Sequence, residues 1–307
     1  MKHIDSNNIL VPFQHGFRSG RSTETQLIQT IDDLATTLNL KGRTDILILD
    51  FSKAFDTVAH QRLLRKLHYY GIRGGTEKWL SQWLTDRTQT VVVDGENSPP
   101  ERVKSGVPQG TVLGPLMFLL YINDIGQNIK SSKIRLFADD CLLYKEVKDE
   151  EDRQALQNDL KSLTDWAEKW QMKFHPAKCS QLTVTNQRRP YNTQYEMLGI
   201  KLHQVDHHPY LGVELAKDLS WTHHINTITQ KANRQLNFLC RNLGQCNRPT
   251  KEQAYKTLVQ PLLLYASAAW DPFQENHISQ LERVHSKAAR FVMGTYSWRE
   301  NVSEMKK

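Results

Sequence analysis

The chain has 307 residues, with 40 Lys and Arg against 33 Asp and Glu, so its formal net charge is +7. No apolar run reaches the ~20 residues that a membrane-spanning helix needs, and residues 1–10 lack the apolar core of a signal peptide. Composition therefore argues against a membrane or secreted protein and indicates an intracellular location. The positive balance favours a polyanionic partner, nucleic acid before a membrane surface.

The first predicted elements are a helix and a buried strand. Residues 22–40 carry Leu and Ile side chains at helical spacing, behind a Ser-Thr pair that can cap the first turn. Residues 45–50, DILILD, form a short apolar run that ends in Asp50. The length of this run and its Ile and Leu content predict a strand that is buried on both faces.

Glycines and turn residues divide the following segment. Residues 60–84 predict two short helices, because glycines interrupt the apolar pattern. Residues 89–110 predict a hairpin with 91–93 and 102–104 as its arms, since an Asp-Gly pair begins a turn after the first arm. Residues 111–125 predict a further helix.

The rest of the chain alternates strands with helices and then becomes helical. An amphipathic helix is predicted over 150–173, because Leu and Trp side chains recur at spacings of three and four. The predicted strands and final helices are 181–185, 195–200, 208–215, 223–243, 250–270 and 276–293.

Two adjacent carboxylates, Asp139 and Asp140, interrupt the apolar segment 135–144, RLFADDCLLY. Asp is common in surface turns, whereas a buried carboxylate is costly unless it is paired or bound to a cation. Asp50 ends a second apolar strand, and two such strands can pair and bring the three acids together. Clustered carboxylates suit hard cations such as Mg²⁺, and two such ions can hold both oxygens of a phosphoryl transfer.

Several segments, in order, resemble the palm motifs of reverse transcriptases. They are LDFSKAFDTV (49–58), SGVPQGTVLGPLMFLLYINDI (105–125) and LFADD (136–140), preceded by QHGFRSGRSTETQL (14–27) and followed by MKFHPAKC (172–179) and HPYLGVEL (208–215). Residues 221–243 and 258–272 resemble the thumb and the region beyond it. The closest likeness is to the non-LTR (LINE-type) retrotransposon branch, and it runs over almost the whole chain.

This resemblance implies an α+β fold, in which a right-hand polymerase palm, an antiparallel sheet with packed helices, precedes a mostly helical thumb-like region. The implied segments are a fingers remnant with the helix that leads into the palm (1–44), the palm with a primer-gripping hairpin (45–215), and a helical thumb with a C-terminal extension (216–307). Relatives carry a fingers subdomain and an endonuclease domain before these segments. The resemblance therefore implies an N-terminally truncated enzyme.

By the same resemblance, the chain would be an RNA-directed DNA polymerase that uses two Mg²⁺ ions, or Mn²⁺, to add nucleotides to a primer 3′-hydroxyl. Asp50 and Asp139 would bind the metals, with Asp140 in support. Lys178 matches the lysine that protonates the leaving pyrophosphate. The implied partners are an RNA template, a DNA primer and deoxynucleoside triphosphates.

Further contacts are implied for the nucleotide and for the nucleic acid. An aromatic ring at Phe55 would lie under the incoming sugar and exclude a 2′-hydroxyl, although it could equally pack in the core. The other residues implied for the nucleotide are Phe51, Pro108, Gln109 and Gly110, where glycine permits close approach of the backbone. Those implied for nucleic acid are Arg18, Arg21, Tyr210, Leu211, Gly212, Lys231, Arg234 and Arg241.

Two other functions are compatible with the sequence. An inactive remnant of a mobile element could keep the palm and thumb and bind nucleic acid without polymerising. A two-metal nuclease would account for the carboxylates but would leave the Pro-Gln-Gly segment at 108–110 and the thumb-like helices unexplained.

Overall fold

The computed structural model describes residues 2–188 and 191–295. The chain divides into two compact units between Val205 and Asp206. The predicted palm ends at 215, which is beyond this division, so the hairpin at 208–215 belongs to the second unit. The residues up to 44, predicted as the fingers remnant and the helix that leads into the palm, belong to the first unit. Residues 296–307 of the predicted C-terminal extension lie outside the described residues.

The first unit mixes helices with short and long strands. In chain order its elements are α1 (Lys2–Ser6), α2 (Thr23–Asn39), β1 (Arg43–Leu49), α3 (His60–Tyr69), α4 (Gly74–Thr85), β2 (Thr88–Gln89), β3 (Val92–Val93), β4 (Glu96–Asn97), β5 (Glu101–Arg102), α5 (Leu113–Ile122), β6 (Lys133–Phe137), β7 (Asp140–Glu146), α6 (Glu150–Lys169), a 3₁₀ helix (Pro176–Lys178), β8 (Ser180–Thr185), β9 (Glu196–Met197), β10 (Ile200–Lys201) and β11 (His203–Val205).

A five-stranded sheet of order β11-β8-β1-β7-β6 forms the centre of this unit. All pairs are antiparallel except the edge pair of β11 with β8. Each of the seven residues of β1 is buried, which confirms the strand that the apolar run predicted. One face of the sheet shares a core with the apolar side chains of α5 and α6, and α2 contacts the strands β1, β6 and β8. The predicted α+β fold is confirmed.

Local signals explain why the main helices lie where they do. Ser22 accepts a hydrogen bond from the Thr25 N–H, and the Thr25 hydroxyl oxygen accepts one from the Ser22 N–H, which together form the capping box that begins α2. On α6, Leu156, Leu160 and Leu163 are fully buried at the spacings that the sequence predicted. The periodic apolar stripe therefore becomes the core-facing side of the helix.

Three predicted strand arrangements, 89–110, 195–200 and 208–215, are wrong because each contains a two-residue turn that brings the chain back earlier. Residues 92–93 pair with 96–97 rather than with 102–104, since Asp94 and Gly95 both have positive φ. Residues 195–200 are not one strand, because Leu198 and Gly199 turn β9 back onto β10. Within the third, Leu211 and Gly212 turn residues 207–210 back onto 213–216. Positive φ at both central residues is what a tight hairpin turn requires.

The second unit is a small hairpin followed by helices. Its elements are β12 (His207–Tyr210), β13 (Val213–Ala216), α7 (Thr222–Asn242), α8 (Arg248–Leu258), α9 (Gln260–Leu264) and α10 (Glu275–Met293). The helix predicted over 250–270 is instead two helices, because Pro261 has no N–H with which to continue α8. Leu236 and Phe291 lie in the apolar core of these helices. Among the described residues, no helix is both long and apolar enough to cross a bilayer.

Candidate active site

The three predicted carboxylates come to one edge of the central sheet. Asp139 lies in the two-residue turn between β6 and β7, and Asp140 is the first residue of β7. Asp50 follows β1, whose last residue, Leu49, pairs with Cys141 on β7. Asp50 and Asp140 therefore lie at the same end of two neighbouring strands, as the pairing of two apolar strands predicted.

Burial and mutual repulsion disfavour the charged forms of these acids. Burial, and then the negative charges of Asp139 and Asp50, raise the pKa of Asp140 to about 6. Burial raises the pKa of Asp139 as well; the charge of Asp50 adds to this rise, and a backbone hydrogen bond opposes it. A cation bound beside these carboxylates would stabilise their charged forms.

The donor set fits a hard cation, since all three side chains offer carboxylate oxygens, the ligands that Mg²⁺ prefers. Within residues 2–188 and 191–295, no group of three or more His, Cys, Asp or Glu side chains is close enough to hold a metal ion. The three acids thus share an edge and repel one another without forming a ready-made metal centre. Their assignment as metal ligands stays a prediction.

Gln14, which the sequence analysis did not single out, holds the turn that carries Asp139. The Gln14 Oε1 accepts hydrogen bonds from the N–H groups of Gly16 at 2.8 Å and Ala138 at 2.9 Å, and its Nε2 donates to the Ala138 carbonyl at 3.1 Å. Ala138 has a φ of 53°, a left-handed conformation that costs an L residue about 1 kcal/mol or more. The buried amide thus fixes both backbone groups of the residue before Asp139.

The backbone around Gln14 lies alongside β6. The His15 N–H donates to the Leu136 carbonyl, and the Leu136 N–H donates to the Phe13 carbonyl, both at 2.9 Å. A Cβ at Gly16 would lie 2.2 Å from the Ala138 nitrogen, so only glycine fits. The one sequence signal for this contact is the position of these residues in the segment QHGFRSGRST.

The end of β1 that carries Asp50 is hydrogen-bonded to the loop 172–179. The His175 N–H donates to the Asp50 carbonyl at 2.8 Å. Lys178 lies in the same loop, on the 3₁₀ helix, with an exposed side chain. In the described part of the chain its ammonium group has no hydrogen bond or ion pair, so its predicted proton-transfer role stays a prediction.

The two phenylalanines predicted to contact the nucleotide differ in burial. Phe51 is 5% exposed and stacks on Phe174 with ring centroids 4.2 Å apart, so any nucleotide contact would have to use its backbone. Phe55 is half-buried, stacks on Phe118 at 4.3 Å and meets the ring edge of Phe17 at 6.4 Å. Phe55 therefore packs on the core and still keeps exposed surface.

The predicted Pro108-Gln109-Gly110 segment lies against the loop that follows β1. Gln109 Nε2 donates to Asp56 Oδ1 at 2.8 Å, a partner that the sequence analysis missed. Pro108 is half-buried. Gly110 has a φ of 71° and nothing within 4 Å of a would-be Cβ. Within the described chain, its left-handed backbone, rather than a close protein contact, explains the glycine.

Arg18 and Arg21 form hydrogen bonds within their own loop. Arg18 Nη1 donates to the carbonyls of Val11 at 2.6 Å and Gln14 at 3.3 Å, and Arg21 Nη1 donates to His15 Nε2 at 2.6 Å. Burial, and then the positive charge of Arg21, lower the pKa of His15 to about 4, so the ring is neutral and can accept that bond. Contact of these arginines with template phosphates stays a prediction.

In the second unit, the predicted primer-gripping residues form the turn between β12 and β13. Tyr210 is buried, and Leu211 and Gly212 have φ values of 46° and 85°. Tyr265 Oη donates to the Leu211 carbonyl at 3.0 Å, and a Cβ at Gly212 would lie 2.8 Å from the Tyr265 ring. Close packing and positive φ thus both require glycine at this position.

The predicted basic residues of the second unit lie on α7. Lys231, Arg234 and Arg241 are all exposed, whereas Leu236 and Leu239 on the same helix are buried. None of the three cations forms an ion pair with another described residue. They are available to an external anion, and their contact with a duplex stays a prediction.

Comparison with known proteins gives a consistent result. Residues 1–215 match the family model described as "Reverse transcriptase (RNA-dependent DNA polymerase)". The chain is 27% identical over 305 residues to the "Probable RNA-directed DNA polymerase from transposon X-element" of Drosophila melanogaster, covering 95% of this chain and 33% of that protein. It is 28% identical over 293 residues to the "RNA-directed DNA polymerase from mobile element jockey" of Drosophila funebris, covering 92% and 32%. The chain spans about a third of the length of these curated relatives.

The fold is similar to that of telomerase from Candida tropicalis, whose structure was solved in complex with a TWJ fragment of telomeric RNA. The TM-score is 0.50 at 9% identity, over 95% of this chain and 52% of that chain. At this identity the likeness concerns the fold alone. The predicted resemblance to non-LTR retrotransposon reverse transcriptases is confirmed. On the evidence of its family model and its relatives, the chain belongs to the reverse transcriptase (RNA-dependent DNA polymerase) family.

Proposed function

We propose that the chain is a polymerase core that extends a DNA primer on an RNA template with deoxynucleoside triphosphates. The observation that carries this proposal is the pair Asp139 and Asp140, set on a clamped turn beside Asp50 at the end of the central strand. Family membership supports the class of reaction.

The chemistry requires the carboxylates to be held in place. Two divalent cations, Mg²⁺ or Mn²⁺, bound by Asp50 and Asp139 with Asp140 in support, would activate the primer 3′-hydroxyl and offset the charge of the leaving pyrophosphate. Gln14 fixes the backbone before Asp139, and the His175 N–H fixes the carbonyl of Asp50. Such positioning counts because a misplacement of about 1 Å can cost about a hundredfold in rate.

Other residues would select and hold the substrates. The exposed surface of Phe55 would lie against the sugar, and Gln109, held by Asp56, would shape the nucleotide site. Lys178 would donate a proton to pyrophosphate. On α7 and in the β12–β13 turn, the predicted basic and turn residues would contact the duplex through its backbone. All four cysteines are free thiols, which suits the reducing interior of a cell.

Primer extension tests the proposal. Purified chain, Mg²⁺, deoxynucleotides and a primed RNA template are compared with the variant Asp139→Asn/Asp140→Asn, which keeps side-chain shape and removes charge. The matched control is Glu151→Gln/Asp165→Asn, which removes two exposed acids of α6. We expect the wild type and the control to extend the primer and the Asp139/Asp140 variant to lose extension.

Other outcomes would identify the alternatives. Salt-dependent binding of the primed template without extension would indicate a nucleic-acid-binding remnant. Metal-dependent cleavage of the template in the absence of deoxynucleotides would indicate a nuclease.

A further inference from the structure

A basic groove lies in the first unit, between the start of α3 and the segment 103–105. Its volume is about 810 Å³, within the range of ligand sites in proteins. Arg62 and Arg65 line it from α3, and Lys104 lines it from the facing segment.

The groove concentrates positive charge that has no counter-charge. Arg62 and Arg65 are three residues apart on α3 and so lie on neighbouring positions of one helix face. Across residues 2–188 and 191–295, the side chains of Arg62, Arg65 and Lys104 form no hydrogen bond or ion pair, and the described lining contains no Asp or Glu. Like charges so placed repel one another, and an anion in the groove would relieve that repulsion.

Hydrogen bonds hold the two walls of the groove together. His60 Nε2 donates to the Gly106 carbonyl at 2.8 Å. Ser105 Oγ donates to the Asp56 carbonyl at 2.8 Å, and the Gly106 N–H donates to the Val58 carbonyl at the same distance. The walls are thus set before any ligand arrives, which lowers the entropic cost of binding.

We propose that the basic groove binds the phosphodiester backbone of a nucleic-acid strand. Guanidinium groups match phosphate oxygens well, and cations on both walls suit a chain of phosphates. Among its described lining residues there is no Phe, Tyr or Trp on which a base could stack. The groove is therefore built to bind charge rather than to select bases.

The groove also lies beside the candidate nucleotide segment. Lys104 and Ser105 precede Pro108-Gln109-Gly110 by only a few residues, and the intervening Gly106 is hydrogen-bonded to His60. The proposal adds a contact surface for the nucleic acid of the proposed function and therefore rests on that function, but its test measures binding alone and requires neither metal nor turnover.

Salt-dependent binding tests the proposal. The probe is a labelled single-stranded oligouridylate of ~12 nucleotides, and its affinity is measured by fluorescence anisotropy in EDTA between about 50 and 200 mM KCl. The variant is Arg62→Gln/Arg65→Gln/Lys104→Gln. The matched control, Lys41→Gln/Lys78→Gln/Lys201→Gln, removes three exposed lysines of the same unit outside the groove.

Each phosphate contact with a single strand contributes ~0.7 to the slope of log affinity against log salt. We expect the groove variant to lose about 2 from the magnitude of that slope, and the control to keep the wild-type slope. The single variant Lys104→Gln should lose about 0.7 from the magnitude of the slope. It tests the proposal even if the triple variant folds poorly. Equal slopes in the groove variants and the control would overturn the proposal.

Two further measurements sharpen the result. The binding assay contains EDTA and no deoxynucleotides, so a failure of primer extension and a failure of groove binding are separable. An uncharged methylphosphonate strand of the same sequence should not bind in the groove. Equal affinity for that strand, or binding to anionic vesicles in place of RNA, would also overturn the proposal.

Discussion

At Gln14, one buried side chain satisfies three backbone hydrogen bonds around the turn before Asp139. Methionine has a similar length and cannot make these bonds. We expect Gln14→Met to lower the free energy of unfolding by about 2 kcal/mol or more, because two buried N–H groups lose their acceptor. We also expect kcat for primer extension to fall by about tenfold or more, with KM for the primed template nearly unchanged, because Asp139 is no longer held.

Urea denaturation and steady-state primer extension measure the two effects separately. The control is Gln154→Met, which changes an exposed glutamine of α6 and should alter stability by less than about 0.5 kcal/mol. If Gln14→Met lost stability but kept the wild-type kcat, the sheet alone would suffice to position Asp139.

Lys66 is a buried cation among aromatic rings. Its Nζ lies 3.6 Å from the ring centroid of Trp170 and 5.0 Å from those of Trp166 and Tyr121, and it forms an ion pair with Asp124. Burial lowers the pKa of Lys66 to about 8, although Asp124 acts in the opposite direction. The rings and the carboxylate thus compensate only part of the lost hydration.

This lowered pKa predicts a stability change at alkaline pH. Between about 8 and the unfolded value near 10.4, the unfolded chain binds more protons at Lys66 than the folded chain, so stability rises with pH in that window. We expect the difference in unfolding free energy between the wild type and Lys66→Met to grow in favour of the wild type from pH 8 to pH 10. Thermal melts across this range, with the exposed Lys78→Met as control, measure it. A constant difference would mean that Lys66 titrates normally.

At the scale of elements, a buried carboxylate ties β1 to β8 and to the segment after it. Asp45, fully buried on β1, pairs with Arg43 of the same strand at 3.0 Å. It also accepts hydrogen bonds from Thr183 at 2.8 Å and from Thr193 and Tyr195 at 2.7 Å. Its partners come from three segments, so the sequence alone shows only an acid in an apolar strand.

Removing one member of this network should be costly. We expect Asp45→Ala to lower the free energy of unfolding by about 3–5 kcal/mol, because Arg43 would stay buried without its partner. Urea denaturation measures this loss. The double variant Arg43→Met/Asp45→Leu removes both charges and should recover part of the lost stability, since the hydroxyls of Thr183, Thr193 and Tyr195 still lose their acceptor. A single variant that lost less than about 1 kcal/mol would mean that water reaches Arg43.

Elements with a dominant local pattern were predictable, whereas those that depend on a short turn were not. The strand β1 and the helices α2 and α6 follow from apolar periodicity, which local sequence contains. The strand predictions for 89–110, 195–200 and 208–215 were wrong because the apolar residues of these segments give no register. In each segment, a two-residue turn decides which residues pair.

For the molecule as a whole, the sequence predicted where the candidate site lies but not which residues hold its backbone in place. The pairing of Asp50 with the Asp139–Asp140 turn was predictable, because two apolar strands each end in an acid. Gln14 was not, because it is more than a hundred residues from Ala138 in the chain and only the fold brings the two together. The basic groove was missed for the same reason, since its walls come from two distant segments.

Two buried histidines, one in each unit, should make the whole chain sensitive to mild acid. In the second unit, burial, and then the charge of Lys231, lower the pKa of His224 to about 4. Its Nε2 is buried with no hydrogen-bond partner among the described residues. In the first unit, burial, and then Arg21, lower the pKa of His15 to about 4. Both imidazole rings are therefore neutral in the folded chain.

The difference in proton binding between the folded and the unfolded chain determines whether acid raises or lowers stability. The folded pKa of each histidine, about 4, lies below the unfolded value near 6.5, so the unfolded chain binds more protons between these values. Stability is then lost as pH falls from 6.5 toward 4. Asp140 and Asp139 act in the opposite direction, because burial raises their folded pKa values above the unfolded ones. Burial also lowers the pKa of His208, which acts in the same direction as the two buried histidines.

We therefore expect the melting temperature of the wild type to fall between pH 7 and pH 5. In His15→Gln/His224→Gln the fall should be smaller, since neither position can then gain a proton in the unfolded chain. His203→Gln, which changes an exposed histidine, should keep the wild-type profile. The single variants show which unit causes the fall in melting temperature. If only His224→Gln reduced that fall, His15 would have to gain a proton in the folded chain, and water would have to enter its loop without unfolding it.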